Sequence, residues 1–356
     1  MLSSKRRLLV VTYMIFIVLN LFIAGCQTDE DNTSGNVIEP ETSDYVWEQA
    51  DGPPGQMICM SASDSEHVWA AIVVEGLYRY IYFFDGKVWV KQADVALDAM
   101  DAISNESVWG VGYGDYNGPG IFHFDGTSWN KQENLSIRAD HFTDVTSADE
   151  ANVWVTYINE EYKGEIQYFD GEEWSGQFVA DGWILNICAA DSKHVWASGR
   201  DEEDNDIIYF FDGKKWTNQG SVDGMYDISD ISAADANHVW TTTPTGVFFF
   251  DGKTWSQAFQ EQTIQIPGLS VEESMVNMSS VCALDASHVW CVGLFYVVSD
   301  DPARGAVMRF GIFFFNGETW TRQYESGEQI VDVFAVDDEN IWCFGGDLLL
   351  FGTKAE

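Results

Sequence analysis

Two tryptophan signatures alternate along nearly the whole chain, and their period decides the fold class. Val-Trp or Ile-Trp recurs at Trp69, Trp109, Trp154, Trp196, Trp240, Trp290 and Trp342, at intervals of 40 to 52 residues. Between them stands an aromatic run closed by Asp-Gly-x-x-Trp. It reads Phe84-Asp85-Gly86 with Trp89, Phe124-Asp125-Gly126 with Trp129, and Phe169-Asp170-Gly171 with Trp174. It returns as Phe211-Asp212-Gly213 with Trp216, Phe250-Asp251-Gly252 with Trp255, and Phe315-Asn316-Gly317 with Trp320. Such a period, with several short strands per unit, marks a β-propeller, whose blades bury their sheet faces only by stacking on one another.

Each unit reads as four strands, a to d. Strand a is a short apolar segment such as Asp230-Ile231-Ser232-Ala233; a turn of the Asp-x-x-His or Asp-x-x-Asn kind leads to strand b with its Val-Trp. Strand c is the aromatic run, Asp-Gly supplies the positive φ of a tight hairpin, and strand d carries the second Trp. Seven b strands exist, but only six d strands follow them. The chain stops after a c strand, Leu348 to Gly352, whereas Tyr45-Val46-Trp47-Glu48-Gln49 looks like an isolated d strand. The expectation is an all-β, seven-bladed propeller of four-stranded blades, its ring closed by the N-terminal strand. Closure removes the open edges that a solenoid, the rival architecture, would leave.

The unit resembles a widespread bacterial propeller repeat of the Val-Trp-Ala-Val-Gly … Phe-Asp-Gly-x-x-Trp kind, matched best at Val108-Trp109-Gly110-Val111-Gly112. The resemblance runs from Tyr45 to Gly352 and implies the fold while leaving the activity open. Asp-Gly-Lys-Thr-Trp at 251–255 is similar to the Asp-box turn of sialidases, but lacks the residue between Asp and Gly and the preceding Ser.

Residues 1–25 read as an export signal. Lys5-Arg6-Arg7 precedes an apolar run from Leu8 to Phe22 that only Thr12 and Asn20 interrupt. The following Ile23-Ala24-Gly25-Cys26 resembles the lipobox of bacterial lipoproteins, which implies that the Cys26 thiol receives a diacylglycerol and becomes the new N-terminus. An uncleaved signal anchor would export the rest of the chain equally. Residues 26–44 then form the lipidated Cys and a polar, acidic tether whose reach as a coil is on the order of 20–25 Å; residues 45–356 form the propeller. The expected location is the extracytoplasmic side of a cell membrane or outer membrane, held by the lipid.

Charge narrows the partners. The chain has 18 basic and 57 acidic residues; without the leader 15 basic residues remain against the same 57, a net of −42. Such a field repels nucleic acid, and favours solubility or basic partners. Apart from Cys26 there are five cysteines, Cys59, Cys188, Cys282, Cys291 and Cys343, at spacings that make no disulfide framework and no CxxC metal site. They read as small buried hydrophobes, with one bridge open between Cys282 and Cys291.

In a propeller the a–b and c–d turns share one face and the b–c and d–a loops the other. Here the first set is uniform, so discrimination between partners belongs to the second. Its candidates are Tyr116, Tyr162, the acidic run Asp201, Glu202, Glu203 and Asp204, and Trp183, a stacking platform for sugar or peptide at the mouth of strand a. The stretch from Asp201 to Asp206 has oxygens enough for Ca2+ but lacks the spacing and glycine of a dedicated calcium loop, and reads otherwise as a solvated acidic turn. His67, His194, His238 and His288 share one repeat position on separate blades and read as turn residues. On the inner strands Asp101, Asp144, Asp230 and Asp332 approach the central channel. There they either gather a cation such as Ca2+ or accept hydrogen bonds from the neighbouring blade's backbone.

No other cofactor is called for, and no catalytic set emerges: the few propeller arginines are too scattered for a sialidase triad. The function expected is therefore a non-catalytic binding or scaffold protein with a protein or glycan partner. The alternative is a glycan-binding or glycan-hydrolysing propeller that uses the variable loops.

Overall fold

The computed structural model describes residues 43–74, 78–113, 118–133, 137, 139–259, 277–298 and 306–355. They form seven antiparallel four-stranded sheets and no helix. Strand β1 (Tyr45–Gln49) comes first. Blade I holds β2 (Gln56–Asp64), β3 (His67–Val74), β4 (Tyr78–Phe84) and β5 (Trp89–Ala93). Blade II holds β6 (Ala99–Ser104), β7 (Ser107–Gly112), β8 (Gly120–Phe124) and β9 (Trp129–Lys131). Blade III holds β10 (Ala139–Asp149), β11 (Asn152–Asn159), β12 (Gly164–Phe169) and β13 (Trp174–Val179). Blade IV holds β14 (Trp183–Asp191), β15 (His194–Arg200), β16 (Asp206–Phe211) and β17 (Trp216–Gly220). Blade V holds β18 (Asp230–Asp235), β19 (His238–Thr243), β20 (Gly246–Phe250) and β21 (Trp255–Phe259). Blade VI holds β22 (Asn277–Asp285), β23 (His288–Val298), β24 (Ala306–Phe315) and β25 (Trp320–Ser326). Blade VII holds β26 (Asp332–Asp337), β27 (Asn340–Gly345) and β28 (Leu348–Lys354), with β1 as its outer strand.

Each inner strand touches the next around the ring, and β26 touches β2, so the circle is complete. β1 closes it by pairing with β28, Tyr45 opposite Lys354 and Gln49 opposite Leu350. Its Tyr45 ring is buried edge-on against Trp290 and Phe314 of blade VI, at 5.5 and 4.9 Å. The Gln323 side chain of that blade accepts from the Tyr45 N–H at 3.2 Å. The N-terminal strand thus ties blade VI to blade VII.

The core is distributed rather than central. Seven clusters of buried side chains lie at the seven blade interfaces, each seeded by the strand-b Trp of one blade and filled by the next. Trp69, for instance, packs with Leu97, Met100, Val108 and Phe122 of blade II, and Trp342 with Met57, Met60 and Val68 of blade I. Burying an aromatic of this size contributes about 3–5 kcal/mol, so the interfaces hold most of the stability.

Two of these interfaces carry a polar clasp that follows from Trp-x-x-Gln on strand d. Gln92 Oε1 accepts the indole N–H of Trp69, in its own blade, and of Trp129 in the next, at 3.1 and 2.7 Å. Gln177 does the same for Trp154 and Trp216, at 3.0 and 2.7 Å.

The rim of a–b and c–d turns is built from one recipe. Asp212 Oδ1 accepts the backbone N–H of Lys214 and Lys215, both at 2.9 Å, around a Gly213 at φ 83°. Asn316 makes the same two bonds at 3.0 and 2.9 Å, so the turn requires an oxygen acceptor and not a charge. On the a–b turns His67, His194, His238 and His288 present Nδ1 to the turn aspartate at 2.7 to 2.9 Å. Asn152 and Asn340 replace them with an amide at 2.8 and 2.7 Å. The histidines are turn donors.

Cys59, Cys188, Cys282, Cys291 and Cys343 form no disulfide with one another. Cys282 stands opposite Trp290 and Cys291 opposite Val281, so the two occupy successive rungs and point to opposite faces of the sheet, which prevents a bridge.

Candidate binding face

On the opposite rim, blades III and IV carry the same turn built from different residues. Asn159 Oδ1 accepts the N–H of Glu161 and Lys163 at 2.8 and 3.0 Å; Asp201 Oδ1 accepts those of Glu203 and Asn205, both at 2.9 Å. Tyr162 and Asp204 occupy the matching left-handed position, at φ 63° and 68°. Asp227, in the loop entering blade V, is the third non-glycine residue of this conformation among the described residues, at φ 53°. All three lie on this face in consecutive blades. Non-glycine residues at positive φ are strained and concentrate at functional sites.

Trp183, half-buried, opens β14 opposite Arg200. Glycine makes this close crossing: a Cβ on Gly199 would lie 1.9 Å from the Trp183 carbonyl oxygen. Gly112, Gly293 and Gly345 make the same room for the carbonyls of Ala96, Asn277 and Gln329, which explains the last glycine of the Val-Trp-Ala-Val-Gly repeat. Gly164 packs against the Trp183–Ile184 backbone and so sets the Tyr162 turn beside the Trp183 strand.

Arg200 is the hub. Its guanidinium lies 3.1 Å from Asp204 Oδ1 and 3.8 Å from Asp206 Oδ1, and also pairs with Asp227. Asp206 in turn accepts the N–H of Asp227 and Ile228 at 2.6 and 3.2 Å, and burial holds its carboxyl above the usual carboxylate range. Asp201 sits below that range because the Asn205 amide donates to it. The acidic run is therefore organised by one arginine and its own backbone. Glu202 and Glu203 remain exposed.

The same strap recurs, from the b–c end of one blade to the loop entering the next. Arg79 pairs with Asp98, Lys163 with Asp181 at 3.5 Å, and the Tyr113 hydroxyl donates to the Asp140 carbonyl at 3.4 Å. Among the described residues Arg79, Lys163 and Arg200 on this face are thus engaged by carboxylates, three to one at Arg200. The surface left for a ligand is aromatic and oxygen-rich.

The inner-strand carboxylates lie elsewhere, on the channel side, where a two-rung ladder stitches blade to blade. Asp101 Oδ2 accepts the Ser147 N–H at 2.6 Å, Asp144 Oδ2 that of Ile187 at 2.9 Å, and Asp230 Oδ2 that of Val281 at 2.9 Å. Ser61, Thr146, Ser232 and Cys282 accept equivalent amides from Ala102, Ala189, Ala283 and Ala335 at 2.9 to 3.2 Å. Asp332 accepts from Val333 and from Ser280. The apolar residues between them, from Met60 to Val333, are buried between blades. Among the described residues no group of three or more His, Cys, Asp or Glu is placed to hold a metal ion.

Of the residues singled out in the sequence, Trp183, Tyr162 and Asp201 to Asp204 come together on one face; Tyr116 and Cys26 lie outside the described residues. Sequence reasoning missed Arg200, Lys163 and Asp181 as members of that face. The available signal was a lone arginine directly before an acidic run, on a chain with few arginines.

No family model and no curated protein matches the chain. Solved structures do. YCF48 bound to D1 peptide overlays with a TM-score of 0.61 at 13% identity, over 91% of this chain and 100% of that one. The streptogramin B lyase structure gives 0.61 at 12%, over 87% and 98%, and U3-55K gives 0.60 at 10%, over 88% and 99%. The likeness is one of fold.

Proposed function

We propose that this protein is a lipid-anchored, extracytoplasmic scaffold whose variable face holds an extended neutral or basic segment of a protein partner, without catalysis. The observation that carries the reading is the contrast between the two rims. One repeats a single turn recipe, while the other gathers the strained residues, the half-buried Trp183 and a surplus of carboxylates. A ligand of opposite or neutral charge fits that surplus, and Trp183 offers a ring face to a peptide. That one fold neighbour is seen with a bound peptide supports the mode by analogy of fold.

The anchor rests on the basic leader and Ile23-Ala24-Gly25-Cys26. Tyr45 pairs with Lys354, whose ammonium reaches Asp338 of an a–b turn at 2.9 Å, so the chain joins the propeller at the uniform rim. A tether attached there favours a variable face turned away from the bilayer.

Peptide and glycan arrays probed with the purified protein test the reading. Binding to Lys- and Arg-bearing peptides that weakens with salt and is lost in Trp183→Ala supports it. Selective retention on glycans instead would replace it with the sugar-binding alternative, for which Trp183 is equally suited. For the anchor, a clickable fatty acid should label wild type and leave Cys26→Ser unlabelled.

A further inference from the structure

The inner ring contains a hydrogen-bond count that does not close without one more proton. Ser280 on β22 is 4% exposed, and its Oγ lies 2.9 Å from Asp230 Oδ2 on β18 and 2.6 Å from Asp332 Oδ1 on β26. A hydroxyl has one hydrogen to donate. Backbone amides already serve the same carboxyls: Ile231 and Val281 donate to Asp230 at 2.7 and 2.9 Å, and Val333 to Asp332 at 2.8 Å. If both carboxyls were ionised, one of the two serine contacts would press two oxygens together with no hydrogen between them. If one carboxyl is protonated, it donates to Ser280 Oγ while the serine donates to the other, and every contact becomes a hydrogen bond.

We propose that Asp230, Ser280 and Asp332 form a proton-binding site in the inner ring, one proton being held between the two carboxyls through the serine hydroxyl, and that this proton tightens the junction of blades V, VI and VII.

Among the described residues no cation pairs with either carboxyl in its place. The titratable groups that act on the pair are Asp144 of β10 and the thiols of Cys59, Cys188, Cys282 and Cys343, which burial keeps protonated. Among the described residues the cation that acts on this set, Arg79, does so through Cys59 and is itself paired with Asp98. Burial first, then the Asp332 charge, pushes the Asp230 carboxyl up to about 7. Burial also raises Asp332. A carboxyl raised in the folded state binds a proton there that the unfolded chain releases, so the stabilisation is full near pH 4 and fades as pH rises through about 7.

Urea unfolding of the full chain from pH 5 to 8 tests the site. The expected wild-type unfolding constant rises, over the lower part of this range, about tenfold per pH unit more steeply than that of Asp332→Asn, the difference expected for one proton. Parallel profiles would overturn the proposal. So would a stability that follows added sodium or calcium at fixed pH instead of following pH, since an ion would then occupy the position of the proton. Should the variant not fold, infrared spectra of a chain carrying Asp101→Asn and Asp144→Asn decide, since burial raises those two carboxyls as well: an aspartic acid carbonyl band near pH 6 that fades towards pH 8 is required, and its absence refutes the site.

Discussion

The two rims of this ring are made by the same strands yet obey different rules. On the uniform rim six c–d turns use one acceptor oxygen and one left-handed glycine, and replacing Asp by Asn at position 316 changes neither the bonds nor the φ class. On the variable rim the same job of tying a turn falls to Asn159 in one blade and Asp201 in the next, and the straps between blades use Arg79, Lys163 or Arg200. The difference teaches where stability resides. It comes from the tryptophan wedges between blades and from the repeated rim, so the other rim can vary in charge and shape without loosening the ring.

The comparison breaks first if ring closure is not decisive. Deleting residues 44–49 removes Tyr45 and Trp47 together with the outer strand of blade VII. Tyr45 is buried and Trp47 partly so; losing one large buried aromatic costs about 3–5 kcal/mol, against a typical total of about 5–15. The truncated chain should be unfolded or nearly so by circular dichroism at 25 °C; a wild-type melting curve would show that the ring closes some other way.

Gly199→Ala comes next, because its Cβ would meet the Trp183 carbonyl at 1.9 Å. The expected loss is about 3 kcal/mol in urea titration, with any Trp183-dependent binding falling alongside. Gln92→Ala should cost about 2 kcal/mol by leaving two indole N–H groups unpaired. Gln219→Ala, at the same repeat position, should cost less than about 0.5 kcal/mol, since Gln219 reaches only its neighbour Thr217. Equal losses would mean that the clasp contributes nothing specific. The smallest effect belongs to the uniform rim: Asp212→Asn should leave the urea midpoint at the wild-type value, as Asn316 already shows the geometry to be kept.

The fold was legible because its determinants are local and repeated. Asp-Gly dictates the hairpin, paired tryptophans set the period, and an orphan d strand at Tyr45 matches an orphan c strand at Leu348. The candidate face was legible only in part. Trp183 and the acidic run stand out by composition, but Arg200 draws its meaning from Asp227, which lies in another blade's loop, and no spacing rule connects them. Likewise Ser280 looks like any small polar residue until the ring brings Asp230 and Asp332 to its two sides. Contacts between blades are long-range in sequence, and a repeat conceals them by making each blade look self-sufficient.

Photo-crosslinking in native membranes distinguishes a rim that recognises a partner from one that only builds the ring. A photoreactive residue placed at Asp204 on the variable rim, or at Lys214 on the uniform rim, is activated in otherwise unchanged full-length protein. A discrete partner adduct is expected from position 204, abolished by Trp183→Ala, and none from position 214. A discrete adduct from position 214 with none from 204 would contradict that expectation.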